Sequence, residues 1–171
     1  MFVNVAGPQL YEADFPQVII DCLNDSHLPA EKLGLEVTEG FVMRAAEHAV
    51  NVLSELKNMG IEIAIDDFGT GYSSLSYLKQ LPIDKIKIDQ SFVRDIPDDR
   101  DDVAISAAVI AMGQALRMKV IAEGVENMDQ AKILASQGCH QAQGYLFSRP
   151  LKPQELEHWM DQSPTLNLGA D

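Results

Sequence analysis

Short runs rich in β-branched residues alternate with longer amphipathic runs six times along this chain, and no other feature constrains its fold as much. Strands are expected at residues 2–5, 33–39, 61–65, 85–89, 119–123 and 141–147, the last with the weakest pattern. Helices are expected at 14–24, 42–59, 74–80, 102–117, 127–137 and 153–160. Local chemistry sets several of these boundaries. Ala46, Ala49, Val50, Leu53 and Leu56 share one helical face, and Gly60 follows as a stop. Asn127 with Gln130 three residues on reads as a capping box, closed by Gly138. Ile105, Val109, Met112 and Leu116 mark the expected buried side of the long helix. Lys85-Ile86-Lys87-Ile88-Asp89 alternates with period two. Strands separated by helices pair in parallel, so the class is α/β.

Open doubly wound sheets and closed barrels both satisfy that alternation. Polar residues separate them. Asn4, Glu36, Asp66, Lys87, Glu123 and Gln143 each lie at or near the C-terminal end of a different strand. In a barrel those ends ring one mouth, where the chemistry of that fold sits; in a doubly wound sheet they would gather at one crevice. No Gly-rich dinucleotide fingerprint or phosphate-binding loop occurs. A complete barrel needs eight units and about 250 residues. The expected fold is therefore an incomplete TIM-like (β/α) barrel, with six of eight strand–helix units and the first two strands missing. Such an arc would leave open edges and an uncovered apolar interior, which implies a homodimer or other self-association through those edges.

Composition narrows the partners. The chain has 26 acidic against 13 basic residues, a net charge of −13, which repels DNA, RNA and anionic lipid. No run is long and apolar enough to span a membrane, and no charged region precedes an apolar one at the N-terminus, so a cytoplasmic setting is expected. Cys22 and Cys139 have no zinc spacing and are expected as reduced core residues. His27, His48, His140 and His158 show no ligand spacing either. The acidic run 95–102 reads as a solvated loop, and Trp159 is expected to pack on the barrel exterior. Residues 1–162 form one domain without a linker, followed by a frayed tail at 163–171.

Ile61-Glu62-Ile63-Ala64-Ile65 runs into Asp66-Asp67-Phe68-Gly69-Thr70-Gly71, where a strand is expected to stop at two adjacent carboxylates. Neighbouring acids repel unless a cation or a cap offsets them. Asn, Glu and Asp are hard oxygen ligands, suited to Mg²⁺ or Mn²⁺ rather than zinc or copper. Adjacent aspartates fit a two-metal site, one bridging both ions and the other binding only the second. A strand-end lysine such as Lys87 can be a plain salt-bridge partner, or it can hold water or a phosphate oxygen.

These motifs resemble the EAL-domain family of bacterial cyclic di-GMP phosphodiesterases. The resemblance rests on Val3-Asn4-Val5, Leu35-Glu36-Val37-Thr38-Glu39, the block from Asp66 to Leu75, and Lys87-Ile88-Asp89-Gln90-Ser91-Phe92-Val93. It continues through Ala122-Glu123-Gly124-Val125-Glu126 and Gln143-Gly144-Tyr145. It implies hydrolysis of cyclic di-GMP to linear pGpG. Asn4, Glu36 and Asp66 are then ligands of a first metal, and Asp66, Asp67 and Glu123 of a second. Lys87 would contact the attacking water, Glu39 would anchor the loop after Asp67, and Glu126 and Gln143 would line the pocket. The Glu-Ala-Leu motif and the arginine two residues beyond it are absent from these 171 residues, so one metal ligand and a phosphate-binding arginine are missing. Ala6 replaces the usual serine. The expected enzyme is thus truncated and impaired; the alternative is an inactive module that binds cyclic di-GMP or a protein.

Overall fold

The computed structural model describes residues 1–44, 46–71 and 75–162. Tyr72, Ser73 and Ser74 of the glycine-punctuated block, and the expected tail at 163–171, lie outside the described residues. Six parallel strands form one sheet whose spatial order equals their chain order. They are β1 (Phe2–Val5), β2 (Gly34–Thr38), β3 (Glu62–Phe68), β4 (Lys85–Ile88), β5 (Lys119–Ala122) and β6 (Gln141–Ala142). Helices fill the crossovers: α1 (Phe15–Ser26), α2 (Glu39–Arg44), α3 (Ala46–Asn58), α4 (Leu75–Leu78), α5 (Arg100–Ala115), α6 (Met128–Ser136) and, after β6, α7 (Pro153–Asp161). β1 and β6 are the two ends of the sheet. Sequential order with parallel pairing throughout is the arrangement of an incomplete TIM-like barrel.

The core lies between the sheet and the helices. Leu35, Val37, Ile63, Ile65, Ile86 and Ile88 point outward from the strands and are buried with Leu53, Leu56, Leu78, Ile110 and Leu134 of the helices. Each such side chain contributes about 1.5–3 kcal/mol when removed from water. The opposite parity faces the concave side, and it is polar. Asn4, Glu36, Glu62, Asp66, Lys85 and Lys87 share it with Phe2, Ala64 and Ile121. The expected uncovered apolar interior is therefore corrected, because on β2, β3 and β4 the large hydrophobic residues occupy the other face. For the same reason the alternation along β4 governs facing and not burial: all four of its residues are buried. Lys85 is held there by Glu62 at 2.9 Å and by the Phe2 ring, whose centroid is 4.4 Å from Nζ. Phe2 fits because β2 opens with glycine; a Cβ on Gly34 would stand 2.3 Å from that ring.

Several expected boundaries shift. The helix expected over 42–59 is recorded as α2 and α3, beginning at Glu39, with Ala45 between them outside the described residues. Gly60 closes α3 at φ +95, as its position implied. α5 begins at Arg100 because Asp99 caps it, accepting from the amides of Asp101 and Asp102. Its buried side is Ser106, Val109, Ile110 and Gly113, and Ile105 is 37% exposed. β6 shrinks from seven expected residues to two. Cys139 is buried but Cys22 is exposed, which corrects the reading of both thiols as core. Trp159 is half-buried on α7. The capping box of Asn127 and Gln130 forms, with Gln130 also donating to the Arg94 carbonyl at 2.9 Å.

Candidate functional site

The site is built where β3 departs from regularity. The strand does not stop at its two acids, as expected, but continues to Phe68. Its register with β4 shifts between Ile65 and Phe68, and Asp67 sits at φ +54. In a regular strand successive side chains point to opposite faces, so adjacent aspartates could not serve one site. A bulge re-aims one of them. Here Asp66, Asp67 and Glu123 each offer a carboxylate oxygen, and those oxygens lie within 4.8 Å of one another.

Lys87 enters this group from β4. Its Nζ lies 2.7 Å from Glu36, 3.0 Å from Asp66 and 2.7 Å from Glu123, and its side chain is 4% exposed. Burial pulls the ammonium pKa down, but hydrogen bonds to the three carboxylates outweigh it, and the net shift is upward. Glu123 is pushed up to about 7, mainly by burial; Lys87 opposes that rise and the Asp66 charge reinforces it. Asp67 is also raised, first by burial and then by the charges of Asp66 and Asp89. Crowded carboxylates that resist ionisation are a donor set a divalent cation would relieve, so the residues fit Mg²⁺ or Mn²⁺.

Glu39 begins α2, directly after β2, and is 1% exposed. Its Oε2 accepts from the Gly69 amide at 2.8 Å, which ties the segment after Asp67 to the end of β2. Two glycines make this possible. Gly69 adopts φ +101 beside the Phe92 ring, and a Cβ on Gly71 would stand 3.0 Å from Glu39 Oε1.

A cleft of about 300 Å³ opens beside the carboxylates, lined by Asp67, Asp89, Glu123, Glu126, Gln143 and Tyr145 among others. Gln143 reaches it because the chain after β6 folds tightly over β5. The Gln143 amide donates to the Ala122 carbonyl at 2.8 Å, and a Cβ on Gly144 would stand 2.1 Å from the Val125 oxygen.

The profile described as EAL domain matches residues 1–150. The chain belongs to the EAL domain family. It is 44% identical over 158 residues to the cyclic di-GMP phosphodiesterase NbdA of Pseudomonas aeruginosa, covering 92% of this chain and 20% of that one. The solved structure described as PaMucR phosphodiesterase, c-di-GMP complex, superposes with a TM-score of 0.88 at 42% identity, over 91% of this chain and 63% of that one. A manganese and cyclic di-GMP complex of Klebsiella pneumoniae BlrP1 superposes at 0.81 and 39% identity, over 87% of this chain and 38% of that one. The chain spans about a fifth of the length of the curated relatives it matches.

Within this EAL domain the residues singled out from sequence are not equally assembled. Glu36, Asp66, Lys87 and Glu123 are in direct contact through the ammonium, and Asp67 joins Asp66 and Glu123. Glu126 and Gln143 line the cleft and Glu39 grips Gly69. Asn4 is exposed on β1, in register with Glu36, and Glu36 is linked to Asp66 through Lys87. Asp89 and Tyr145 were not singled out, yet both line the cleft. Asp89 lies two residues beyond Lys87, the spacing that returns a side chain to the same strand face, and that signal would have found it. Tyr145 follows a non-repeating turn and carried no periodic signal.

Proposed function

We propose that this EAL domain hydrolyses one phosphodiester bond of cyclic di-GMP to give linear pGpG, using two divalent ions, Mn²⁺ or Mg²⁺. The observation that carries the reading is the bulge that turns Asp66 and Asp67 together toward Glu123, beside a lysine that meets three carboxylates. Asp66, Asp67 and Glu123 would hold one ion, and Asn4, Glu36 and Asp66 the other. Bound there, the ions would supply charge for an in-line phosphoryl displacement and for lowering the pKa of the attacking water. Lys87 orients that water or steadies an equatorial phosphate oxygen by donating from Nζ. Glu39 fixes the segment that follows Asp67, so the bulge keeps its aim. Glu126 and Gln143 present an acceptor and an amide to the dinucleotide in the cleft. The substrate reaches an acidic surface through the metal ions and not through a basic patch. The two thiols are free, in keeping with a reducing, cytoplasmic setting for the reaction.

The test is chromatographic detection of pGpG from cyclic di-GMP with Mn²⁺. The 171 residues assayed by themselves carry no Glu-Ala-Leu segment, and loss of one electrostatic contact costs about 10²–10³ in rate, so turnover is expected to be slow. Fusion behind the two preceding strand–helix units of a relative is expected to restore it, and Lys87→Ala in that fusion to abolish it. A fusion that binds the dinucleotide with metal present and never cleaves it would refute the enzyme and leave a binding module.

A further inference from the structure

An ammonium has three N–H donors. Lys87 donates one of them to Glu36 at 2.7 Å and is ion-paired with Asp66 at 3.0 Å and Glu123 at 2.7 Å, each carboxylate approaching from a different strand or strand end. In this arrangement the ammonium is ringed by three carboxylates on the side where a water or a phosphate oxygen would meet the metal ligands. Asp66 and Glu123 are also two of the three carboxylates grouped closely enough to hold a cation. The same oxygens cannot serve the lysine and a divalent ion at full strength, and a positive charge among them repels an incoming one.

We propose that Lys87 is a placeholder cation: without metal it holds the carboxylates of β2, β3 and β5 together, and it gives up Asp66 and Glu123 when a divalent ion enters. Two consequences follow from the geometry. The metal-free site stays assembled, because three acids that would otherwise repel are gathered around one buried ammonium. Lys87 is released from Asp66 and Glu123 toward substrate when metal enters, so binding is ordered, metal first and dinucleotide second. The proposal rests on the reading of the carboxylates as a metal site. It adds that Lys87 opposes the metal, where a residue that merely supports the site would favour it.

Mn²⁺ titration of the full chain, read by the electron paramagnetic resonance signal of free Mn²⁺ and by melting temperature, tests this without any turnover. Lys87→Met keeps the bulk and removes the charge. It is expected to melt lower than the parent without metal, to bind Mn²⁺ at least about tenfold more tightly because a like charge has gone, and to gain more in melting temperature on saturation. Equal or weaker Mn²⁺ binding by Lys87→Met overturns the placeholder role while leaving the metal site standing. Absence of Mn²⁺ binding in both proteins overturns the metal site, and the placeholder with it. Should Lys87→Met fail to fold, the parent protein decides the matter by NMR of the lysine ammonium groups. A slowly exchanging Lys87 signal without metal, lost or shifted on adding Mg²⁺, supports the exchange of partners, and a signal indifferent to Mg²⁺ refutes it.

Discussion

Removing the carboxylate of Glu39 is expected to free the segment that follows Asp67. Glu39 is 1% exposed and its Oε2 accepts from the Gly69 amide at 2.8 Å. A hydrogen bond to a charged acceptor contributes about 1.5–3 kcal/mol. In a chain of this size 1 kcal/mol moves the melting temperature by about 2–4 °C, so Glu39→Ala is expected to lower it by about 3–12 °C. Glu39→Gln keeps the shape and one acceptor oxygen and is expected to lose roughly half as much, since neutral bonds are about half as strong. The effect has an address. Amide hydrogen exchange at Gly69 is expected to accelerate by roughly 10–100-fold in Glu39→Ala, while amides of β5 change no more than global stability requires. If Gly69 exchange is unchanged in Glu39→Ala, the carboxylate does not hold the loop and the argument for the bulge's support fails.

The raised Glu123 makes pH a second probe. Its folded value of about 7 lies above the ordinary 4.5, so the metal-free folded protein keeps a proton that the unfolded chain has released. That contribution to stability is complete below 4.5 and lost as pH rises through about 7, and melting without metal should show the fall. Metal affinity runs the opposite way: protons compete for Glu123, so Mn²⁺ binding should weaken below about pH 7 in calorimetric titrations. Asp66→Asn is expected to remove the Mn²⁺-induced rise in melting temperature, whereas His48→Ala, whose ring bonds the Leu10 carbonyl, is expected to keep it. The sheet ends at β1 and β6 present backbone groups to any partner strand, so light scattering of the 171 residues should report dimers or larger species; a compact monomer at high concentration would refute that.

The parallel order was legible because each strand is short, β-branched and followed by a helical period, and the register puts Asn4, Glu36, Asp66 and Lys87 on one face. What sequence did not reveal depends on tertiary context. A bulge cannot be read from Asp66-Asp67, since the same pair in a regular strand would point two ways. The concave face was expected to be apolar because an open arc would expose a barrel interior; Glu62, Lys85 and Lys119 occupy it instead, through mutual charge pairing at 2.9 and 3.7 Å. α5 carries apolar residues around much of its circumference, so its buried stripe was placed one residue too early, at Ile105 instead of Ser106. Ser106 can be buried because its single O–H is shared between the Val103 carbonyl at 3.0 Å and Gln137 Oε1 at 3.1 Å, a partnership no periodicity announces.

The central claim is that Asp66, Asp67 and Glu123 hold a divalent ion, and anomalous diffraction from crystals soaked in Mn²⁺ tests it most directly. The account predicts an anomalous peak within about 2.0–2.6 Å of oxygens from all three residues, with Lys87 drawn away from Asp66 and Glu123. A manganese peak found only elsewhere, such as the pocket lined by Asp95, Asp98 and the α6 residue Asp129, with Lys87 still paired with its three carboxylates, would contradict it.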